Sequence, residues 1–550
     1  MNRTTFWKLY FVTILSVPIL AVSCASSSDT PTDLPDSVSD VGQDTNDKDV
    51  PTGDADVTDD TVAPGDISPA DATDDTDLTG DADVADDADV TGDNETIDDT
   101  DDGFTDDQLD KCLTCAPGDQ VLPHLAVSGS SNVWLSWFSS TSTGFDMYLQ
   151  LMDKDGKPKL DANGLLVSDH PSATWVMDYG LASDNEGNAI LAFSDMRVAN
   201  RLTLRAYKIA PEGTFMWGDD GIALSLGSGE DMSPTLVVAS DGDAVVAWTE
   251  NDDRAETSII RVQRIAPDGT LRWPEGKTLT PDNENLFVRP QVVAAPDGGF
   301  IVMWVETPDM MSTDRVIWAQ KFAADGSALW DDPVTVSNSM GIAFYHAPLM
   351  VADASGGAFV AWFGVGQSEL KGFIQHVDST GALTMGAEGA AFSTSETTNQ
   401  IISGLVFVPE TGGAVVSWKE TSLNQDDCGL YLQAFSATGT RLWADEGLAL
   451  VPRTDTQVLA GALKAHGQSV IVLYGEWIYE NILDAQMAVA QVPLVAEPEP
   501  VSTVLCNHVT SKDHATGSDL VNNGFWFAWE EVGASEEKDI YGAFWSPTAP

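Results

Sequence analysis

Basic residues are scarce. Lysine and arginine together number 26 against 86 aspartates and glutamates, a net charge of −60 over 550 residues. With no cationic surface to neutralise phosphates, this balance excludes a general nucleic-acid binder and argues against docking on an anionic lipid surface. Cysteine is scarce too, and five residues do not make a disulfide scaffold of a chain this long. The seven histidines (His124, His170, His346, His376, His466, His508 and His514) share no position in the repeat described below, so they do not spell a zinc site. There is no Gly-rich phosphate loop and no Gly-x-Ser-x-Gly elbow. The expectation is therefore no cofactor, no nucleic acid and a monomer. The apolar run from Leu9 to Val22 contains Pro18 and falls short of the ~20 residues a spanning helix needs.

That run follows Arg3 and Lys8, the charge pattern of an export signal. It ends in Leu20-Ala21-Val22-Ser23-Cys24, which resembles a bacterial lipobox, with Ala21 where Leu is more usual. The resemblance implies a signal peptide over residues 1–24, cleavage before Cys24 and acylation of that residue. Several acyl chains anchor stably where one does not. Ala25, rather than Asp, follows the cysteine, which by the same resemblance implies the bacterial outer membrane, facing the periplasm or the cell surface.

Residues 25–110 hold 30 acidic groups against Lys48 alone. Tryptophan, tyrosine, cysteine and methionine are absent between Ser26 and Asp102. Such a segment cannot bury enough apolar surface to offset its ordering entropy, and like charges extend it. It reads as a disordered acidic stalk. Asp98 to Gly103 loosely suggests a calcium loop, but Thr100 and Leu109 stand where two ligands belong, so calcium is a weak expectation.

Residues 111–550 carry one unit eight times over. An apolar run ends in an aromatic at Trp137, Phe193, Trp248, Trp304, Trp362, Trp418, Tyr474 and Trp529, at intervals of 55 to 58 residues. β-Branched runs such as Val245-Val246-Ala247-Trp248 read as strands, and Gly298-Gly299 or Gly412-Gly413 as hairpin turns before them. An upstream strand often starts at proline: Pro123, Pro234, Pro290 and Pro348. A downstream strand carries Gln150, Gln263, Gln320, Gln375 or Gln433 at one register before a turn, and a fourth strand is expected around Trp217, Trp273, Trp330 and Trp443. The glutamine reads as a hydrogen bond within the unit, and the aromatics as core between units.

Four antiparallel strands per unit of about 56 residues, in series, is the pattern of an all-β, eight-bladed β-propeller, with seven blades as the alternative. The eighth copy lacks a fourth strand, and residues 107–121 are the candidates to supply it. The domain resembles bacterial cell-surface propellers and the broad superfold of sialidases. Ala266-Pro267-Asp268-Gly269-Thr270-Leu271-Arg272-Trp273 is similar to that family's Asp-box, but glycine follows aspartate directly. Val288-Arg289-Pro290 is similar to its first-blade arginine motif, but lies in copy four. The family's chemistry needs three arginines, a Tyr–Glu pair and an acid Asp. No arginine occurs from Val316 to Thr440, so the resemblance extends to the fold and not to the catalytic set.

Two residues after the aromatic an acid recurs: Asp195, Glu250, Glu306, Glu420, Glu476 and Glu531. These carboxylates cap loops, or form a rim for a cation or basic partner. With the aromatics Trp175, Phe287, Phe344 and Trp477 they are the candidate binding residues for a protein or glycan. Cys112, Cys115, Cys428 and Cys506 are available for disulfides in an exported chain, with connectivity open. The functional expectation is a non-catalytic, lipid-anchored surface propeller. The alternative is a polysaccharide-active hydrolase or lyase with its site on one propeller face.

Overall fold

The computed structural model describes residues 110–547, apart from residues 130, 173–177, 199, 226, 253–255, 338, 478–483 and 534–535. Cys24, the acidic tract with its calcium-like run, and Trp175 lie outside the described residues.

Every regular element among the described residues is a β-strand. The strands form eight antiparallel blades, each centred on one of the eight repeated aromatics. Those aromatics are 0 to 5 % exposed. They and their β-branched neighbours fill a closed series of interfaces. Separate apolar clusters join blades one and two, two and three, and so on to seven and eight. Two further clusters join the eighth to the first, through Trp137, Leu135, Ala528 and Ile540, and through Val133 and Trp526. The first strands of successive blades touch one another round the ring. These inner strands are Gln120–Ser128, Gly180–Ser183, Glu230–Val238, Leu286–Ala294, Leu349–Ala352, Thr398–Val408, Val458–His466 and the end of Val501–Gly517.

The register glutamines fasten each blade's outer loop. Gln150 donates to Asp161 O (2.7 Å), Gln263 to Trp273 O (2.7 Å), Gln320 to Trp330 O (3.0 Å), Gln375 to Gly386 O (2.7 Å) and Gln433 to Ala444 O (2.8 Å). This loop differs from the expectation. Trp217, Trp273, Trp330 and Trp443 sit in the bend, and the short fourth strands follow at Ile222–Ala223, Lys277–Leu279, Val334–Thr335 and Leu448–Thr454. Three of the indoles leave the ladder because they donate to a carbonyl of the next blade: Trp217 to Pro267, Trp330 to Ser379 and Trp443 to Val495.

Blades seven and eight share one strand. Val501–Gly517 pairs with the third strand of blade seven through Val501 to Ser511, then with Phe525–Val532 of blade eight through Lys512 to Gly517. Blade eight gains its fourth strand from the N-terminal side. Asp110, Lys111 and Cys112 pair with Ala543, Gly542 and Tyr541. Leu113 N–H then donates to Ile540 O (2.7 Å), and Lys538 N–H to Asp119 Oδ1 (3.0 Å). Lys111 lies over the Trp526 ring, 5.3 Å from its centre. Gly156, at φ +69°, permits this, since a Cβ there would meet both Lys111 and Trp526 at 2.6 Å. Closure removes the unpaired edges that would otherwise invite association.

The disulfide joins Cys112 to Cys115, within the closing segment. Cys428 and Cys506, also candidates for a bridge, form no disulfide and are buried inside their blades.

Deleting residues 105–115 removes the closing strand and should lower the thermal midpoint of the propeller by several degrees, measured by circular dichroism. Deleting residues 29–100 should leave it unchanged. Equal midpoints for the two deletions would show that the ring holds without its closing strand.

Candidate ligand site at the ring centre

Along six of the eight inner strands the ladder slips. The register is irregular at Val121/His124, Met232/Thr235, Val288/Gln291, Ile402/Gly404, Ala460/Leu463 and Asp513/Thr516. Leu122, Ser233, Arg289 and His514 are the first residues out of the ladder at four of these shifts, and Asp178 stands just ahead of the inner strand of blade two. These five are left-handed without being glycine: Leu122 (φ 59°), Asp178 (49°), Ser233 (50°), Arg289 (53°) and His514 (42°). Such conformations cost roughly 1–3 kcal/mol each and persist where surrounding structure enforces them. Proline follows three of these five, Leu122, Ser233 and Arg289, and fixes the backbone on one side of the bulge. The result is five unlike side chains turned out of the ladder, from blades one, two, three, four and eight.

Two charge groups stand on different arcs of the ring. In blades eight, one and two, His124 Nε2 lies 3.0 Å from Asp178 Oδ1, and the His124 ring stacks on Tyr179 at 4.3 Å. Tyr179 hydroxyl donates to Leu122 O (2.8 Å), and burial raises it well above the ordinary phenol range. Asp178 is 62 % exposed, so water reaches it among the converging strands. Enclosure by those strands works to raise its carboxyl, but His124 and the Tyr179 N–H outweigh this and hold it low. His514 Nδ1 contacts Glu530 Oε1 at 2.7 Å, and Glu530 also takes Lys538 (2.7 Å) and the Leu122 N–H (2.8 Å).

In blades four and five the charge is cationic, with Asp309 near enough to favour the charged form of Arg315. Arg289 has no hydrogen-bond or ion-pair partner among the described residues, and burial alone lowers its guanidinium. Arg315 donates to three backbone carbonyls, of Ser312, Phe344 and Met310, and to no carboxylate. Burial and the nearby Arg289 push it down to about 10. His346 accepts the Phe363 N–H at Nε2 (3.2 Å), and burial with Arg289 and Arg315 pushes it down to about 3, so it is neutral. In a chain of charge −60, two guanidinium groups with no carboxylate bonded to them among the described residues form an anion-seeking spot.

The acids expected as a rim lie within their own blades. Asp195 is fully buried against Arg197 (2.7 Å), and Glu250 takes Arg261 (3.0 Å). Glu306 accepts from Asn285 (2.7 Å) and Trp318 Nε1 (2.8 Å). Glu420 and Glu531 accept the indole N–H two residues earlier, from Trp418 (2.9 Å) and Trp529 (3.0 Å). Glu476 is half-buried, and burial raises its carboxyl. Phe287 packs on Trp304 at 5.4 Å, and Trp477 is buried beneath Lys419. Phe344 alone borders the cationic arc, through the carbonyl that Arg315 binds. The central residues His124, Asp178, Tyr179, Arg289, Arg315, His346 and His514 were missed as a set. The trace they leave is positional, since several stand within two residues of the inner-strand prolines.

No family model and no curated relative matches this chain. Among solved structures it is similar to a polysaccharide lyase (9 % identity, TM-score 0.40, covering 78 % of this chain and 90 % of that one). It is also similar to an ulvan lyase of a new polysaccharide lyase family (8 %, 0.40, 66 % and 91 %). A third is a subtype N10 neuraminidase-like protein of a little yellow-shouldered bat influenza isolate (10 %, 0.35, 66 % and 93 %). At these values the likeness says nothing of chemistry, and the propeller rests on the strand pairing itself.

Glu530 is held below its ordinary 4.5: burial works to raise it, but His514 and Lys538 prevail. His514 is held above its ordinary 6.5: burial works to lower it, but Glu530, then Asp513, prevail. The Glu530 contribution is thus complete above pH 4.5 and lost as pH falls through its lowered value. The His514 contribution is complete below 6.5 and lost as pH rises through its raised value. Glu530→Gln should cost about 3–5 kcal/mol near pH 5.5, because it strands a buried imidazolium and Lys538. Chemical denaturation should also show the loss of stability above pH 6.5 abolished in this variant. An unchanged pH profile would rule the pair out.

Proposed function

We propose that this protein is a lipid-anchored propeller that binds an acidic glycan at its ring centre without turning it over. Arg289 carries this reading: an enclosed guanidinium at a strained position, with no hydrogen-bond or ion-pair partner among the described residues. Proteins do not leave a desolvated cation unpaired without cost, so its natural partner is an anionic group on a ligand. The opposite arc offers the exposed Asp178 carboxylate and the His124 imidazole, which suit sugar hydroxyls. A uronic acid presents both kinds of group on one ring, its carboxylate toward Arg289 and its hydroxyls toward Asp178. The net charge of −60 repels a long polyanion at a distance, so recognition should favour short oligosaccharides and tolerate moderate salt.

Arg289→Met tests this in two directions. Titration calorimetry with an oligouronate should show binding weakened at least about tenfold, the scale of one lost charged contact of ~1.5–3 kcal/mol. The thermal midpoint should hold or rise, since an unpaired buried charge has gone. Equal affinity in the variant, or no binding of acidic oligosaccharides by the wild type, would sink the proposal.

A second reading rests on the His124–Asp178 contact at 3.0 Å beside Tyr179. An imidazole oriented by a carboxylate can take a proton from a sugar whose carboxylate is neutralised across the ring. The same oligouronate, incubated with the protein and followed for unsaturated or shortened products, decides between capture and cleavage.

The anchor belongs to the same proposal. Cys24→Ser should release the protein from the membrane fraction and abolish incorporation of labelled fatty acid. Unaltered partitioning would exclude Cys24 as the acylated residue.

A further inference from the structure

Away from the ring centre, four side chains from three strands meet where the closing strand joins the last two blades. Cys506 and His508 alternate along Val501–Gly517 and so share a face. Glu531 comes from Phe525–Val532, and Asp110 from the closing strand. One ligand atom from each lies within 4.8 Å of all the others. His508 Nδ1 is 3.8 Å from Asp110 Oδ2 and 3.6 Å from Glu531 Oε1. Cys506 Sγ is 3.9 Å from Glu531 Oε2. A tetrahedral dication with bonds of ~2.0–2.3 Å needs ligand atoms roughly 3.3–3.8 Å apart, so these edges require little contraction.

Asp110 supplies the independent sign. Its side chain is 0 % exposed, neither oxygen meets a full hydrogen-bond partner among the described residues, and the side chains it faces are the Cys506 thiol and His508 of the same cluster. A buried carboxylate in that condition lacks something to bind. Glu531, by contrast, is already oriented by Trp529 Nε1 (3.0 Å) and Thr510 Oγ1 (2.5 Å), as outer partners orient a metal ligand. The charges agree. With the thiol deprotonated, Asp110, Glu531 and Cys506 carry three negative charges, and the buried Lys512, 3.3 Å from Glu531, carries one positive. One dication neutralises the remainder.

We infer that Asp110, Cys506, His508 and Glu531 form a tetrahedral site for a borderline dication of the zinc class, and that the bound metal locks the closing strand to blades seven and eight. One sulfur, one nitrogen and two oxygen donors suit zinc or cobalt(II) rather than calcium or magnesium. Binding displaces the Cys506 proton to solvent. The ligands come from strands far apart in the chain, so no spacing in the sequence reveals them.

The test uses the full chain, stripped with a chelator and kept without reductant so that Cys112 and Cys115 stay bonded. Cobalt(II) should bind at one equivalent and give the absorption of a tetrahedral thiolate complex. Cys506→Ala should abolish the thiolate-to-metal band. His508→Gln and the isosteric Asp110→Asn should each weaken cobalt affinity about tenfold or more. Zinc should raise the thermal midpoint of the wild type and not that of His508→Gln. Asp110→Asn keeps the closing strand intact and serves if the core variants fold poorly. Absence of a thiolate band in the wild type, or equal cobalt affinity in all four proteins, would overturn the assignment.

Discussion

A blade has two apolar faces, and only its neighbours can cover them. Everything else in this structure follows from that requirement. Trp134, Trp248, Trp362 and Trp418 are buried because each blade is sandwiched, and the sandwich has no end unless the chain returns to its start. The eighth interface, through Trp137 and Trp526, is therefore no different in kind from the seven within the chain. It differs in how it is made, by a short strand donated across more than 400 residues of sequence.

Rigidity of this sort permits strain at the centre. The glutamine ties and the indole bonds to the next blade fix each outer loop, so the inner strands can hold left-handed residues that an isolated hairpin would relax. The bulges turn side chains out of the ladder and into the middle, where eight short segments approach one another. The five left-handed residues differ: a common backbone geometry presents leucine, aspartate, serine, arginine and histidine from different blades. Symmetry builds the frame, and its breaking makes a site.

The fold was readable because its cause is periodic. An aromatic every 55 to 58 residues, with a glutamine and a turn in step, reflects one packing problem solved eight times. The missing strand of the eighth copy pointed to an N-terminal donor, and Asp110–Cys112 is that donor. Reading failed where periodicity was a distraction. The acids two residues after the aromatic recur because most of them bond an indole, an amide or an arginine inside their own blade. The central residues are invisible to a search for repeats because they differ from blade to blade. Histidines that looked scattered converge, since His124 and His514 lie on adjacent inner strands, which is a fact of closure and not of spacing. Trp217 and its equivalents looked like strand residues because aromatic side chains favour strands, but their indoles serve the neighbouring blade.

The closing strand has a mechanical meaning. Tension on the chain ahead of Asp110 enters the folded domain through the three residue pairs that join Asp110, Lys111 and Cys112 to Ala543, Gly542 and Tyr541. The Cys112–Cys115 bond makes a small covalent loop just behind that zipper. Pulling on that end of the domain thus loads the seam of the ring before any complete blade. The seam is the molecule's fuse: where it gives way, the circle opens to a line of eight blades, and the central site, which exists only in the circle, is lost with it.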